Sequence, residues 1–201
     1  MKKQKSKDPI YKVVSLGERR VGKTSIITRF FYNTFSEKSE ETVCGYCKQK
    51  TIQTKNGPID LAVWDTAGQE RFHSMPPIYF KNSDAAIIVY DITVKGTLQK
   101  VRQWIQELKQ FSQNDNVLPV LVGNKDDMHI QRDVEQSQVD ELCNEYQVKH
   151  FLVSAKSGKG ITEIFQYIAD ELIQSAKQTN ERGYFWQGNK KQAQNDGGGY
   201  C

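Results

Sequence analysis

Gly17-Glu18-Arg19-Arg20-Val21-Gly22-Lys23-Thr24, the stretch GERRVGKT, has the form G-x-x-x-x-G-K-[ST]. It stands between an apolar run, Tyr11 to Leu16, and a helix-like segment, Ser25 to Phe31. A loop of this form, set after a strand and before a helix, wraps phosphates in backbone N–H groups, and the helix N-terminus adds a favourable dipole. The backbone of Gly17, Arg20, Val21, Gly22, Lys23, Thr24 and Ser25 is therefore assigned to phosphate binding. The Lys23 ammonium is expected to reach the β- and γ-phosphates, and the Thr24 hydroxyl to hold Mg²⁺. A chance glycine-rich turn is the competing reading, and the strand-loop-helix setting weighs against it.

Further apolar, β-branched runs occur at Ile59 to Trp64, Ala85 to Ile92, Val117 to Gly123 and His150 to Ser154. With Tyr11 to Leu16 they read as strands buried on both faces. Leu98, Val101, Ile105 and Leu108 share one helical face, as do Ile161, Ile164, Phe165, Ile168 and Leu172. Alternating strands and helices predict an α/β fold with a largely parallel sheet and helices on both faces. Lys48 to Lys55 alternates more openly, and Asn56-Gly57-Pro58 joins it to the next run as a hairpin signal, which adds one antiparallel edge strand. Ligands of such sheets bind at the carboxyl ends of the strands.

With 201 residues the chain is sized for one domain. The expected partition is a flexible extension over 1–9, the domain over 10–175, and a flexible polar tail over 176–201 that closes on Gly197-Gly198-Gly199-Tyr200-Cys201. The net charge of +4 is interspersed rather than massed, which excludes nucleic acid as an expected partner. The basic start MKKQKSKDP has no apolar stretch behind it, so no secretory signal is expected, and no run is long enough to span a bilayer. Four cysteines do not make a disulfide framework, and a reducing, cytosolic setting follows. Cys44 and Cys47 have C-x-x-C spacing, but no second pair or suitably spaced histidines accompany them, which disfavours zinc or redox chemistry.

Three more segments carry chemistry. Asp65 ends a strand and opens Asp65-Thr66-Ala67-Gly68-Gln69-Glu70; its carboxylate is expected to face the Mg²⁺ held by Thr24. Gly68 lets a backbone N–H approach a γ-phosphate, and Gln69 is placed to orient an attacking water, against the plainer reading of a solvated loop glutamine. Asn124-Lys125-Asp126-Asp127 follows another strand as N-K-x-D; the Asp127 carboxylate can accept two N–H donors from guanine, an edge adenine lacks. Ser154-Ala155-Lys156 closes the last strand, where a backbone N–H can bond the guanine O6.

With these segments in this order, residues about 10 to 175 resemble the small Ras-like GTPases. Trp64 to Phe72, WDTAGQERF, and Val89 to Thr93, VYDIT, are similar to the Rab branch. Phe72-His73-Ser74 and Pro77-Ile78-Tyr79-Phe80 are similar to its early-endosomal subgroup. The resemblance implies the P-loop GTPase fold with a six-stranded sheet, slow hydrolysis of bound GTP to GDP with Mg²⁺, and a switch that recruits effectors in vesicle and endosomal trafficking. It makes Gln69 the catalytic residue. It makes Thr42 a ligand of Mg²⁺ and the γ-phosphate, beside Thr24 and, through water, Asp65. It sets Phe35 against the guanine ring, unless that side chain simply closes the core beyond the first helix. Implied partners are an exchange factor, a GTPase-activating protein, effectors and prenyl-binding escort proteins, with the chain monomeric. Its implied place is the cytosolic face of endosomal or other vesicle membranes, cycling with the cytosol.

Three departures stand out. Arg19 occupies a loop position usually held by a small residue, and three readings stay open: it crowds Gln69 and slows hydrolysis, it or Arg20 acts as an arginine finger in cis, or both arginines turn to solvent. The first of these allows an alternative function, a GTP-locked effector-binding module. Cys47 stands where the exposed aromatic trio of effector contact, whose other members match Trp64 and Tyr79, normally has phenylalanine. Cys201 is a single terminal cysteine where two are common; it is the candidate prenylation site for membrane attachment, or it is unmodified. One lipid anchors more reversibly than two, and Lys177, Arg182, Lys190 and Lys191 add only partial electrostatic support.

Overall fold

The computed structural model describes residues 9–37, 45–66 and 77–177. In chain order its elements are β1 (Ile10–Leu16), α1 (Lys23–Tyr32), β2 (Tyr46–Thr54), β3 (Gly57–Asp65), a short α2 (Pro77–Phe80), β4 (Ala85–Asp91), α3 (Lys95–Gln99), α4 (Val101–Phe111), β5 (Leu118–Asn124), a 3-10 segment (Asp126–Gln131), α5 (Gln136–Tyr146) and β6 (Lys149–Leu152). A last helix, α6, covers 161–177.

The strands form one six-stranded sheet in the order β2-β3-β1-β4-β5-β6. Every pairing is parallel except β2 with β3. The expected fold class is therefore what the chain adopts. β4 is buried at every position, so its apolar run is continuous rather than alternating, as a strand covered on both faces requires. Alternate residues serve opposite faces. Val13, Ile87, Val89 and Val122 pack with Ile26, Ile27 and Phe30 of α1 and Phe165 and Ile168 of α6. Val14, Ile88 and Leu121 pack with Ile105 and Leu108 of α4 and Val139 and Leu142 of α5. Phe30 stacks on Phe165 with ring centroids 3.8 Å apart, which joins α1 to α6. Each such large apolar side chain contributes about 1.5–3 kcal/mol when fully buried.

Local differences from the sequence reading have physical causes. The hairpin turns at Lys55-Asn56, with Thr54 opposite Gly57. Gly57 sits at φ 118 and already belongs to β3, and the Thr54 hydroxyl closes the turn by accepting from Asn56 N at 3.0 Å and donating to Gly57 O at 2.8 Å. The helix expected from Leu98 through Leu108 divides at Lys100 into α3 and α4. The sequence reading places no element at α5, although Val139, Leu142, Cys143 and Tyr146 recur at i, i+3, i+4 and i+7 and pack on the core; only the first two are buried, and the polar residues between them make the period faint.

Candidate functional site

The predicted loops meet at the carboxyl edge of the sheet. Gly17 follows β1 at φ 134, and a Cβ there would lie 2.2 Å from the Val89 carbonyl oxygen, so the chain can pass β4 only as glycine. Lys23, buried at the start of α1, turns its ammonium back over the loop and donates to the carbonyls of Gly17 (2.7 Å) and Glu18 (2.8 Å). A phosphate cradled by the loop N–H groups would meet that charge already in place. Arg20 is exposed at φ 57, and Arg19 is half-buried.

One side chain ties three of the loops together. Asn124, buried at the end of β5, donates from Nδ2 to Val21 O (2.8 Å) in the phosphate loop and accepts at Oδ1 from Ala155 N (3.1 Å). Gly22 makes room for it: a Cβ there would stand 2.2 Å from Asn124 Nδ2. Lys125 follows in the left-handed region at φ 72, with Nζ 2.5 Å from Asp91 Oδ2. Asp127 is exposed, and its Oδ1 accepts from Ser154 Oγ at 2.6 Å, while Ser154 Oγ accepts from Ser157 N at 3.0 Å. Lys156 is exposed and pairs with Glu37 at 2.7 Å; the pairing raises the lysine's pKa and lowers the glutamate's.

Asp65 ends β3 with its side chain fully buried. Ser15 Oγ approaches its Oδ1 at 3.4 Å, and Oδ2 is buried with no close hydrogen-bond donor among the described residues. Burial pushes this carboxyl's pKa up, against the opposing pull of the nearby Thr24 hydroxyl and then the Lys23 charge. A buried carboxylate beside a threonine hydroxyl suits a hard divalent cation. The donors present, Thr24 Oγ1 and Asp65, fit Mg²⁺ completed by phosphate oxygens and water.

The three residues expected at an effector surface, Cys47, Trp64 and Tyr79, lie on or beside the β2–β3 edge of the sheet. Cys47 is exposed directly opposite half-buried Trp64 across β2 and β3. Lys12 Nζ lies 4.9 Å from the Trp64 ring. Tyr79 is half-buried, and a Cβ on Gly45, just before β2, would come within 3.0 Å of its hydroxyl. Phe35 is half-buried and packs on the core cluster under α1. Thr42, Gly68, Gln69, Cys44 and Cys201 lie outside the described residues. No helix among the described residues is long and apolar enough to cross a membrane.

Some site residues escaped the sequence reading. Arg29 of α1 donates to Ala155 O (2.9 Å), Lys156 O (2.6 Å) and Asn33 O (2.8 Å), stapling α1 to the base loop. Its i+4 partner Asn33 is local, but the other two carbonyls are far away in sequence and leave no signal in it. Ser15, fully buried in β1, accepts from Thr66 N at 3.2 Å, and its carbonyl accepts from Thr66 Oγ1 at 2.6 Å. A serine inside an apolar strand was the available hint.

A phosphate loop, a strand-end aspartate and two base loops gathered at one edge of a parallel sheet are the working parts of a P-loop GTPase. Residues 12–174 match the sequence model of the Ras family. The chain is 43% identical over 164 residues to the Ras-related protein Rab-21 of Geodia cydonium, covering 82% of this chain and 71% of that protein. It is 38% identical over 204 residues to the Ras-related protein Rab-21 of Homo sapiens, covering 95% and 90%. With the GTP-binding protein YPT53 of Saccharomyces cerevisiae it shares 38% over 167 residues, covering 80% and 76%. The chain belongs to the Ras family. Within it, it is a Rab GTPase of the type resembling Rab-21, an enzyme that hydrolyses GTP in vesicle trafficking. Proteins of this family bind GTP or GDP with Mg²⁺ and work with exchange factors, activating proteins and effectors. Nothing in these matches favours the GTP-locked module.

Proposed function

We propose that this chain binds GTP through the loops described above, hydrolyses it slowly, and changes effector affinity with nucleotide state on endosomal membranes. The observation that carries the reading is Asn124, whose amide joins the phosphate loop at Val21 to the base loop at Ala155. A nucleotide bridging those loops would bind across a frame held at one spacing.

In this reading the N–H groups of Gly17, Arg20 to Ser25 and Gly68 line the phosphates, and Lys23 neutralises charge on the β- and γ-phosphoryl oxygens. Asp127 accepts from guanine N1 and N2, Ala155 N lies beside O6, and Lys125, Lys156 and Phe35 border the base. Thr24, Thr42 and Asp65 would hold Mg²⁺, which when bound supplies electrostatic stabilisation of the transferring phosphoryl group. Gln69 orients the attacking water. Release of the γ-phosphate frees Thr42 and Gly68 together, which is the switch. Cys47, Trp64 and Tyr79 form the effector surface, with less aromatic area than a three-ring patch and hence a different partner preference. Residues 10–175 form the working domain as a monomer, and Cys201 carries a prenyl group that escort proteins can shield, so the chain cycles between membrane and cytosol.

Displacement of a fluorescent GDP tests this. GTP should compete at least a thousandfold better than ATP, and chelating Mg²⁺ should speed release. Comparable displacement by ATP would overturn the guanine assignment, and release indifferent to chelation would overturn the metal ligands.

A further inference from the structure

Four consecutive residues from the end of β5, Asn124 to Asp127, are each tied to another part of the chain, three of them to the segment that follows β6. Asn124 holds Val21 and Ala155. Asp126 takes Lys159 Nζ at 2.6 Å and donates its N–H to Val153 O at 3.0 Å. Asp127 takes the Ser154 hydroxyl. Lys125, at the left-handed φ of 72, is anchored through its ammonium to Asp91, the last residue of β4. Asp91 is 3% exposed and its orientation is fixed: Oδ1 accepts from Thr93 N (2.9 Å) and from the Thr93 hydroxyl (2.7 Å), leaving Oδ2 for Lys125. Its own N–H donates to Thr97 Oγ1 at 3.0 Å.

A side-chain-bearing residue resists the left-handed conformation, so something must hold Lys125 there. A buried, oriented carboxylate 2.5 Å from its ammonium is the strong kind of hold, because both partners are charged and the acid has no freedom to follow a shifting lysine. Asp127 lies two residues on, and its direction depends on the backbone at Lys125. Resting on the guanine reading above, we propose that Asp91 is a positioning residue for base recognition: it pins Lys125 in the left-handed turn and thereby sets where the Asp127 carboxylate meets the base.

The test compares GTP with inosine triphosphate, which lacks the 2-amino group that Asp127 would bind. Asp91→Asn keeps the acceptor for Thr93 and removes the charge facing Lys125. GDP release should quicken about tenfold, the size of one charge-assisted hydrogen bond, and the GTP-over-inosine preference should fall by a similar factor. A merely structural role would lower the melting temperature and weaken both nucleotides alike, leaving the ratio unmoved. Lys125→Met, which breaks the same contact from its more exposed side, guards against a misfolded Asp91 variant and should also lower the ratio. In the double variant, Asp91→Asn should add no further change, because Asp91 acts through Lys125. A guanine-selective wild type whose ratio is unmoved by Asp91→Asn overturns the proposal alone. A wild type without guanine preference overturns the guanine reading, and the proposal with it.

Discussion

Replacing Asn124 by alanine removes two hydrogen bonds from the interior and leaves both partners behind. Val21 is fully buried and Ala155 is 3% exposed, so neither the Val21 carbonyl nor the Ala155 N–H gains easy access to water when the amide is gone. A buried polar group stranded in this way costs about 1–3 kcal/mol, and two that share one partner should together cost about 3 kcal/mol. In a domain of this size that lowers the melting temperature by about 6–12 °C. Nucleotide retention should fall as well, since the phosphate loop and the base loop lose their common brace. Asn124→Asp is a sharper probe. Its carboxylate can still accept from Ala155 N, but an oxygen then faces the Val21 carbonyl where Nδ2 donated at 2.8 Å, so it should be at least as damaging as alanine. Thermal melts with excess GDP and GDP off-rates measure both effects. An alanine variant within 0.5 kcal/mol of wild type, by the order-of-magnitude scale for ordinary surface changes, would refute the reasoning, as would an aspartate variant that matches wild type.

Other consequences are as specific. His150 hydrogen-bonds Tyr90 Oη at 3.0 Å, and its pKa is lowered to about 4, first by burial and then by the Arg132 charge. The unfolded chain therefore binds a proton on His150 below about pH 6.5 that the folded chain refuses, so stability falls as pH drops from about 6.5 towards 4 and is recovered above it. The loss is about 2 kcal/mol at pH 5, and His150→Asn should remove it from denaturation curves at pH 5 and pH 8; identical pH profiles would contradict this. Gly17→Ala brings a Cβ to 2.2 Å from Val89 O at a left-handed φ of 134, and should destabilise by at least about 2 kcal/mol and release bound nucleotide faster. Arg19→Gly should change intrinsic or activator-stimulated turnover; equal rates in both assays would leave only the reading in which Arg19 faces solvent.

Much of this site was legible because its chemistry is local. GERRVGKT, N-K-x-D and S-A-K each place their key groups within a few residues, and the apolar runs before them are long enough to read as strands. The edge strand was also visible, but its turn was displaced by one residue because Gly57 and Pro58 extend β3 rather than make the bend. What the sequence hid is non-local. Arg29 reaches Ala155 and Lys156, and Asp91 reaches Lys125, across distances that no spacing rule spans. α5 was hidden for another reason: Val139, Leu142, Cys143 and Tyr146 do recur at i, i+3, i+4 and i+7 and pack on the core, but only the first two are fully buried aliphatics, and the polar residues around them make the period faint. The Tyr90–His150 bond depends on Gly123, where a Cβ would lie 2.6 Å from the tyrosine oxygen, a fit that appears only once β4, β5 and β6 are side by side.

The most direct measurement is the fate of GTP on the purified protein. After loading with GTP, nucleotide extracted over time and resolved by chromatography should show slow conversion to GDP that requires Mg²⁺ and is nearly lost in Gln69→Leu. Asp65→Asn should retain its fold while losing the Mg²⁺ dependence of nucleotide retention. GTP that stays intact in the wild type with Mg²⁺ present, or conversion at the same rate without the metal and without Gln69, would contradict the switch described here.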